Sequence, residues 1–182
     1  MKVAYLDIET NYLGEYVDQR LFRDYKNHRI SVVGLLVEEP AGDRFVQLVG
    51  ESVTRQALMQ ALAGIRRIVT YNGRSLPDAM KRSTGFDFPV IAAQLGVVLD
   101  REFPHTDLVP ECWKRNLYGG QKKVEQVLGL RRALPGKDGE WAMRMWRKYL
   151  ATNDQRCLDE LLTYNREDVF MLREIESRLR SL

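Results

Sequence analysis

Two stretches far apart in the chain carry acids in patterns that can serve chemistry. In LDIET, residues 6–10, Asp7 and Glu9 lie two apart, so in a strand both project to one face while Leu6 and Ile8 project to the other. In YNREDVF, residues 164–170, Tyr164 and Asp168 lie four apart and share a helix face, with Glu167 pointing partly away. A third stretch, GFDFPVI at 85–91, sets Asp87 between two phenylalanines just ahead of a helix. Taken singly, each has an ordinary reading: a strand that frays into solvent, a polar stripe above Leu161, Leu162, Val169 and Leu172, and an acid in a first helical turn. Taken together, four carboxylates and a tyrosine can converge on two divalent cations. Mg²⁺ and Mn²⁺ prefer oxygen ligands, and a pair roughly 4 Å apart clamps both the attacking and the leaving oxygens of a phosphodiester. Without metal the acids repel one another and raise their own pKa values, so such a site is expected to be metal-hungry and less stable when empty.

The elements that must position these groups can be read from periodicity. Residues 3–8, 30–37 and 44–49 are β-branched and aromatic runs, the last two joined by the turn-forming EEPAGD, and together they predict an antiparallel meander. Residues 53–63 carry apolar residues at helical spacing with Ser52 as the expected N-cap, and 67–72 predict a fourth strand. Beyond it the pattern is mainly helical, at 88–95, 121–128, 139–150 and 157–180, with Pro89 suited to a first turn and Gly129 to a C-cap. HTDLV at 105–109 is a candidate fifth strand. Periodicity alone gives the α/β class.

At 182 residues the chain suits one globular unit, residues 1–182, with 45% apolar and 29% charged residues and no low-complexity tract. MKVAYLDIET meets a charged residue too early for a secretory signal and no run is long enough to span a bilayer, so a cytoplasmic address and no membrane partner are expected. Cys112 and Cys157 are isolated and read as free thiols; with only His28 and His105 there is no zinc-ligand spacing. The formal charge of +3 neither requires nor excludes nucleic acid. Basic doublets at 81–82, 114–115, 122–123, 131–132 and 147–148 read mostly as solvated helix faces. No feature marks an oligomer interface.

The acids, in this order, resemble the three motifs of the DnaQ-like (DEDD) 3′–5′ exonucleases, a branch of the ribonuclease-H-like superfamily. Asp7 and Glu9 match the first motif, Asp87 the second and Asp168 the third, and Tyr164 matches the tyrosine subclass. LYGGQKKVEQVLGLRR at 117–132, then Trp146, Tyr149 and LLTYNREDVFML at 161–172, resemble the predicted exonuclease subfamily typified by YprB, so the likeness runs from about residue 3 to about residue 175. It implies a mixed five-stranded sheet, three antiparallel strands followed by further strands, with helices on both faces. It also implies two Mg²⁺ or Mn²⁺ ions held by Asp7, Glu9, Asp87 and Asp168, with Asp7 bridging both and Tyr164 orienting the attacking water. An ordinary Tyr pKa near ~10 makes it a poor base at neutral pH, which agrees with that role. The implied partners are single-stranded 3′ ends of DNA or RNA.

One departure concerns the second motif. Asn72-Gly73 is separated from Phe86-Asp87 by RSLPDAMKRSTG, which makes Asp78 a rival acid; Asp87 is preferred because F-D-x-P, an apolar helix and then HTDL follow the family order. Candidate nucleic-acid contacts are Thr10, Asn72, Arg74, Lys81, Arg82, Lys122 and Lys123, as phosphate-positioning groups that read no sequence. His105 reads as structural or at the edge of the cleft, and Asp107 as a support of the fold. The alternatives are a noncatalytic nucleic-acid-binding domain of the same fold and a structure-specific endonuclease.

Overall fold

The computed structural model describes residues 2–13, 24–74 and 85–182. Among these, five strands form one sheet: β1 (Val3–Tyr12), β2 (His28–Glu38), β3 (Arg44–Val49), β4 (Arg67–Thr70) and β5 (His105–Asp107), in the order β3-β2-β1-β4-β5. β1 pairs antiparallel with β2, and β2 with β3; β1–β4 and β4–β5 are parallel. The meander followed by two crossovers gives the mixed sheet the sequence implies.

Strand alternation divides the interior into layers. Ala4, Leu6 and Ile8 of β1, with Val33, Leu35 and Val37 of β2, bury one face under α1 (Arg55–Ala61) and α2 (Asp87–Leu95). On the other face Val3, Tyr5 and Leu36 meet Val169, Leu172, Ile175 and Leu179 of α7 (Gln155–Ser181). Further along that face Val32 packs with Trp141 and Trp146 of α6 (Gly139–Thr152) and with Leu161 and Tyr164 of α7. Asp7 and Glu9 continue the Val3–Tyr5 side of β1, so the alternation that buries Leu6 and Ile8 aims both acids at α7.

Several expectations are corrected. β1 does not fray at Asp7 but runs on to Tyr12, and its register with β2 shifts between Glu9 and Thr10, a bulge beside the acids. The N-cap of α1 is Thr54, whose side chain accepts from the Ala57 amide, because Gly50–Ser52 is taken up in a 3₁₀ turn. The fourth strand stops at Thr70, since Asn72 adopts a left-handed φ of 62° and turns the chain. HTDLV is a strand only to Asp107, after which α4 (Leu108–Trp113) begins; it and α3 (Leu99–Glu102) are short helices without a readable period. The helix before α6 is α5 (Gln121–Val127), with Gly129 left-handed just past its end as expected. Both cysteines are free and buried. No helix among the described residues is long and apolar enough to cross a membrane.

Candidate active site

One oxygen from each of Asp7, Glu9 and Asp168 lies within 4.8 Å of the others. Glu9 and Asp168 are buried, and Asp7 is partly open to a cleft of about 730 Å³ that all three line together with Asp87 and Tyr164. Sequence positions 7, 9, 87, 164 and 168 therefore share one cavity. Asp87 stands outside the tight trio, as the first residue of α2, where its carboxylate is buried at the helix's positive end.

The second motif is rebuilt in space. The Phe86 amide donates to the Asn72 carbonyl (2.9 Å) and the Phe88 amide to the Gly73 carbonyl (2.7 Å), so the two ends of the intervening segment are stitched together. Asp107 fixes the turn from the other side: its carboxylate accepts from the amides of Asn72 (2.9 Å), Arg74 (3.3 Å) and Val109 (3.0 Å). Asp107 thus supports the fold, as expected. The same stitching holds Asp87 beside the turn of Asn72-Gly73. Asp78, Lys81 and Arg82 lie outside the described residues.

Burial dominates the electrostatics. Desolvation, followed by the charge of Asp168, pushes the Asp7 carboxyl well above the usual range; Glu9 is raised by desolvation and then by Asp7, and Asp87 by desolvation and then by Asp7. Asp168 is also raised by desolvation, opposed by Lys122 and Arg132. Desolvation and the neighbouring carboxylates drive the Tyr164 hydroxyl far upward, so its phenol keeps its proton. The crowded carboxylates repel one another, and bound cations would relieve that repulsion as protons do. Its donors are hard oxygens without a His or Cys among them, which fits Mg²⁺ or Mn²⁺.

Lys122 is not a solvated lysine. Its Nζ donates to the Tyr164 hydroxyl, lies 4.6 Å over the Tyr164 ring and is 3.7 Å from Asp168 Oδ2. Thr10 and Asn72 line the cleft, and Thr10 Oγ1 contacts His28 Nδ1 at 3.3 Å. Arg74 and Lys123 do not line it: Arg74 lies beside His105, and Lys123 is exposed with its stem against Gly119. His105 bonds Thr70 Oγ1 through Nε2 (2.8 Å) and packs on Phe88, a structural role.

Three groups that orient the acids escaped the sequence reading. Asn165 Nδ2 donates to Asp7 Oδ2 (3.0 Å), and Gln47 Nε2 from β3 donates to Asn165 Oδ1 (3.0 Å) and to the Leu162 carbonyl (2.9 Å). Gly34, opposite Asp7 in the β2 register, makes the approach possible, because a Cβ there would lie 2.3 Å from Asn165 Oδ1. A lone glycine inside the apolar run VVGLLV was the available signal of a close approach.

Hard oxygen donors gathered over the central strand of a mixed sheet ordered β3-β2-β1-β4-β5 are the furniture of a metal-using nuclease. The chain belongs to the RNase H superfamily, whose family model matches residues 4–180. Membership supports a phosphodiester hydrolase that works with divalent metal ions. No curated protein matches the chain.

Proposed function

We propose that the protein is a 3′–5′ exonuclease that hydrolyses single-stranded DNA or RNA from its 3′ end and releases nucleoside 5′-monophosphates. The observation that carries this reading is the buried trio Asp7, Glu9 and Asp168 with the Tyr164 hydroxyl in the same cleft. Asp7, Glu9, Asp168 and Asp87 would hold a pair of Mg²⁺ or Mn²⁺ ions. Bound there, such ions supply an acidified water and neutralise charge on the scissile phosphate.

The chain's own groups do the rest. Asn165 holds Asp7 in one rotamer, and Tyr164, protonated at its Oη, orients the attacking water as a hydrogen-bond partner without acting as its base. Lys122, lining the cleft beside Tyr164, brings a positive charge next to the acids where a phosphate would bind. Tyr71, Phe86 and Trp113 line the cleft as aromatic groups suited to stacking on unstacked bases, which supports a single strand over a duplex. Water adds to phosphorus, and the 3′-oxygen of the preceding nucleotide leaves.

Linear and circular single strands test the mode. In Mg²⁺ a 5′-labelled linear oligonucleotide should shorten to a ladder while a circle of the same sequence stays intact. Cutting of the circle would replace this reading with an endonuclease, and binding of the linear strand without any product would replace it with a noncatalytic domain.

A further inference from the structure

The motif at residues 121–132 forms a second structure around Asp168. The turn after α5 is closed by the Leu130 amide, which donates back to the Glu125 carbonyl (2.9 Å), with Gly129 at a φ of 70°. This reversal returns Arg132 over Glu125. Arg132 Nε and Nη2 donate to the two Glu125 carboxylate oxygens at 2.5 and 2.6 Å, a bidentate pair in which Glu125 is 1% and Arg132 7% exposed. The remaining arm of the guanidinium, Nη1, makes an ion pair with Asp168 Oδ1 and lies 3.7 Å from Glu167.

Neighbouring bonds lock the same unit onto α7. The Glu167 carboxylate accepts from the backbone amides of Ala133 and Leu134, and Gln121 Nε2 donates to the Asp168 carbonyl (3.0 Å). Residues on both sides of Arg132 are therefore fixed to the helix that carries Asp168. A planar fork held on one side by a carboxylate has little freedom left on the other.

We infer that Arg132, held by Glu125, is the positioning residue for Asp168, fixing the orientation in which that carboxylate takes a divalent cation. The inference rests on the metal-dependent reading of the trio. Two features separate it from a packing role. The guanidinium reaches a member of the acid trio and not merely the helix backbone, and its partner Glu125 is not a member of the trio. Glu125 thus touches Asp168 only by way of Arg132, though its charge also reaches that carboxyl. The contact is a buried ion pair, and partners that orient metal-binding carboxylates from behind typically change metal affinity by about 10–100-fold when removed.

Mn²⁺ binding to the full chain, by calorimetry and by the electron paramagnetic resonance signal of free Mn²⁺, tests this without using activity. Arg132→Lys keeps the charge but loses the fork, and Glu125→Gln keeps Arg132 but weakens its anchor. With native far-ultraviolet circular dichroism in each, Arg132→Lys should bind Mn²⁺ about 10–100-fold more weakly and Glu125→Gln should move the same way by less. A role confined to packing would lower the melting temperature and leave the Mn²⁺ affinity of the folded protein unchanged, which would overturn the inference. Should Arg132→Lys fail to fold, Glu125→Gln decides alone. Wild type that binds Mn²⁺ with unchanged variants overturns the positioning role but leaves the metal site standing; wild type that takes no Mn²⁺ overturns both.

Discussion

Gly34→Ala places a methyl group where β2 and α7 touch. The added Cβ would lie 2.3 Å from Asn165 Oδ1 and 2.8 Å from Val169 Cγ2, where ordinary contact starts near ~3.5 Å. Either α7 retreats by roughly 1 Å or Asn165 rotates away. Asn165 is fully buried and bonded at both ends, to Asp7 and Gln47, so rotation leaves polar groups without their partners. Overpacking of this kind costs about 1–3 kcal/mol. Loss of buried hydrogen bonds adds about 1–2 kcal/mol, for a total of about 2–5 kcal/mol. Urea unfolding should show a lower midpoint with an unchanged slope. Function should suffer beyond stability, because Asp7 loses the Asn165 donor: at temperatures where the variant stays folded, the Mg²⁺ concentration for half-maximal hydrolysis should rise about tenfold. A variant within ~0.5 kcal/mol of wild type and with the same Mg²⁺ dependence would refute the close approach and the role assigned to Asn165.

Three further outcomes follow from the electrostatics. The carboxyls of Asp7, Glu9, Asp87 and Asp168 are raised in the fold, so the folded state binds protons more tightly than the unfolded chain; that stabilisation is present at low pH and is lost as pH rises through the raised values. Thermal melts in chelator and in Mg²⁺ should accordingly diverge as pH rises, with about 2.7 kcal/mol of stabilisation at a hundred times Kd, and equal melts at pH 8 would contradict it. His105 behaves oppositely: burial lowers it from 6.5 to about 4, so its contribution is full above 6.5 and is lost as pH falls toward 4. The stability difference between wild type and His105→Gln should shift by about 2–3 kcal/mol across that window in urea titrations, and a flat difference would count against the buried neutral imidazole. Tyr164→Phe should lower the hydrolysis rate about 10–100-fold at unchanged Mg²⁺ dependence if the hydroxyl orients water, and a shifted Mg²⁺ dependence would instead give it a part in holding the ions.

The strand acids were legible because a period of two leaves only one face for Asp7 and Glu9 once Leu6 and Ile8 are in the core. Tyr164 and Asp168 were legible for the matching helical reason. The second motif was harder, since linear spacing misleads when a segment is closed off by the Asn72–Phe86 and Gly73–Phe88 backbone bonds. Arg132 read as half of a surface doublet, and only its return over Glu125 reveals a buried guanidinium. Lys122 was singled out as a phosphate contact, but its bond to Tyr164, 42 residues away, had no local signature. Asn165 sat inside a motif already singled out, but its partners come from β1 and β3, and such long-range contacts have no local signature. Helices α3 and α4 are too short to display a period.

The most direct measurement incubates wild type, Asp7→Ala and Asp168→Asn with 5′-labelled single-stranded DNA and RNA in Mg²⁺, in Mn²⁺ and in chelator, with circular dichroism to verify folding. The account predicts 3′-shortened products from wild type in either metal, none in chelator and none from the two folded variants. Equal product from Asp7→Ala, or product that persists in chelator, would contradict it.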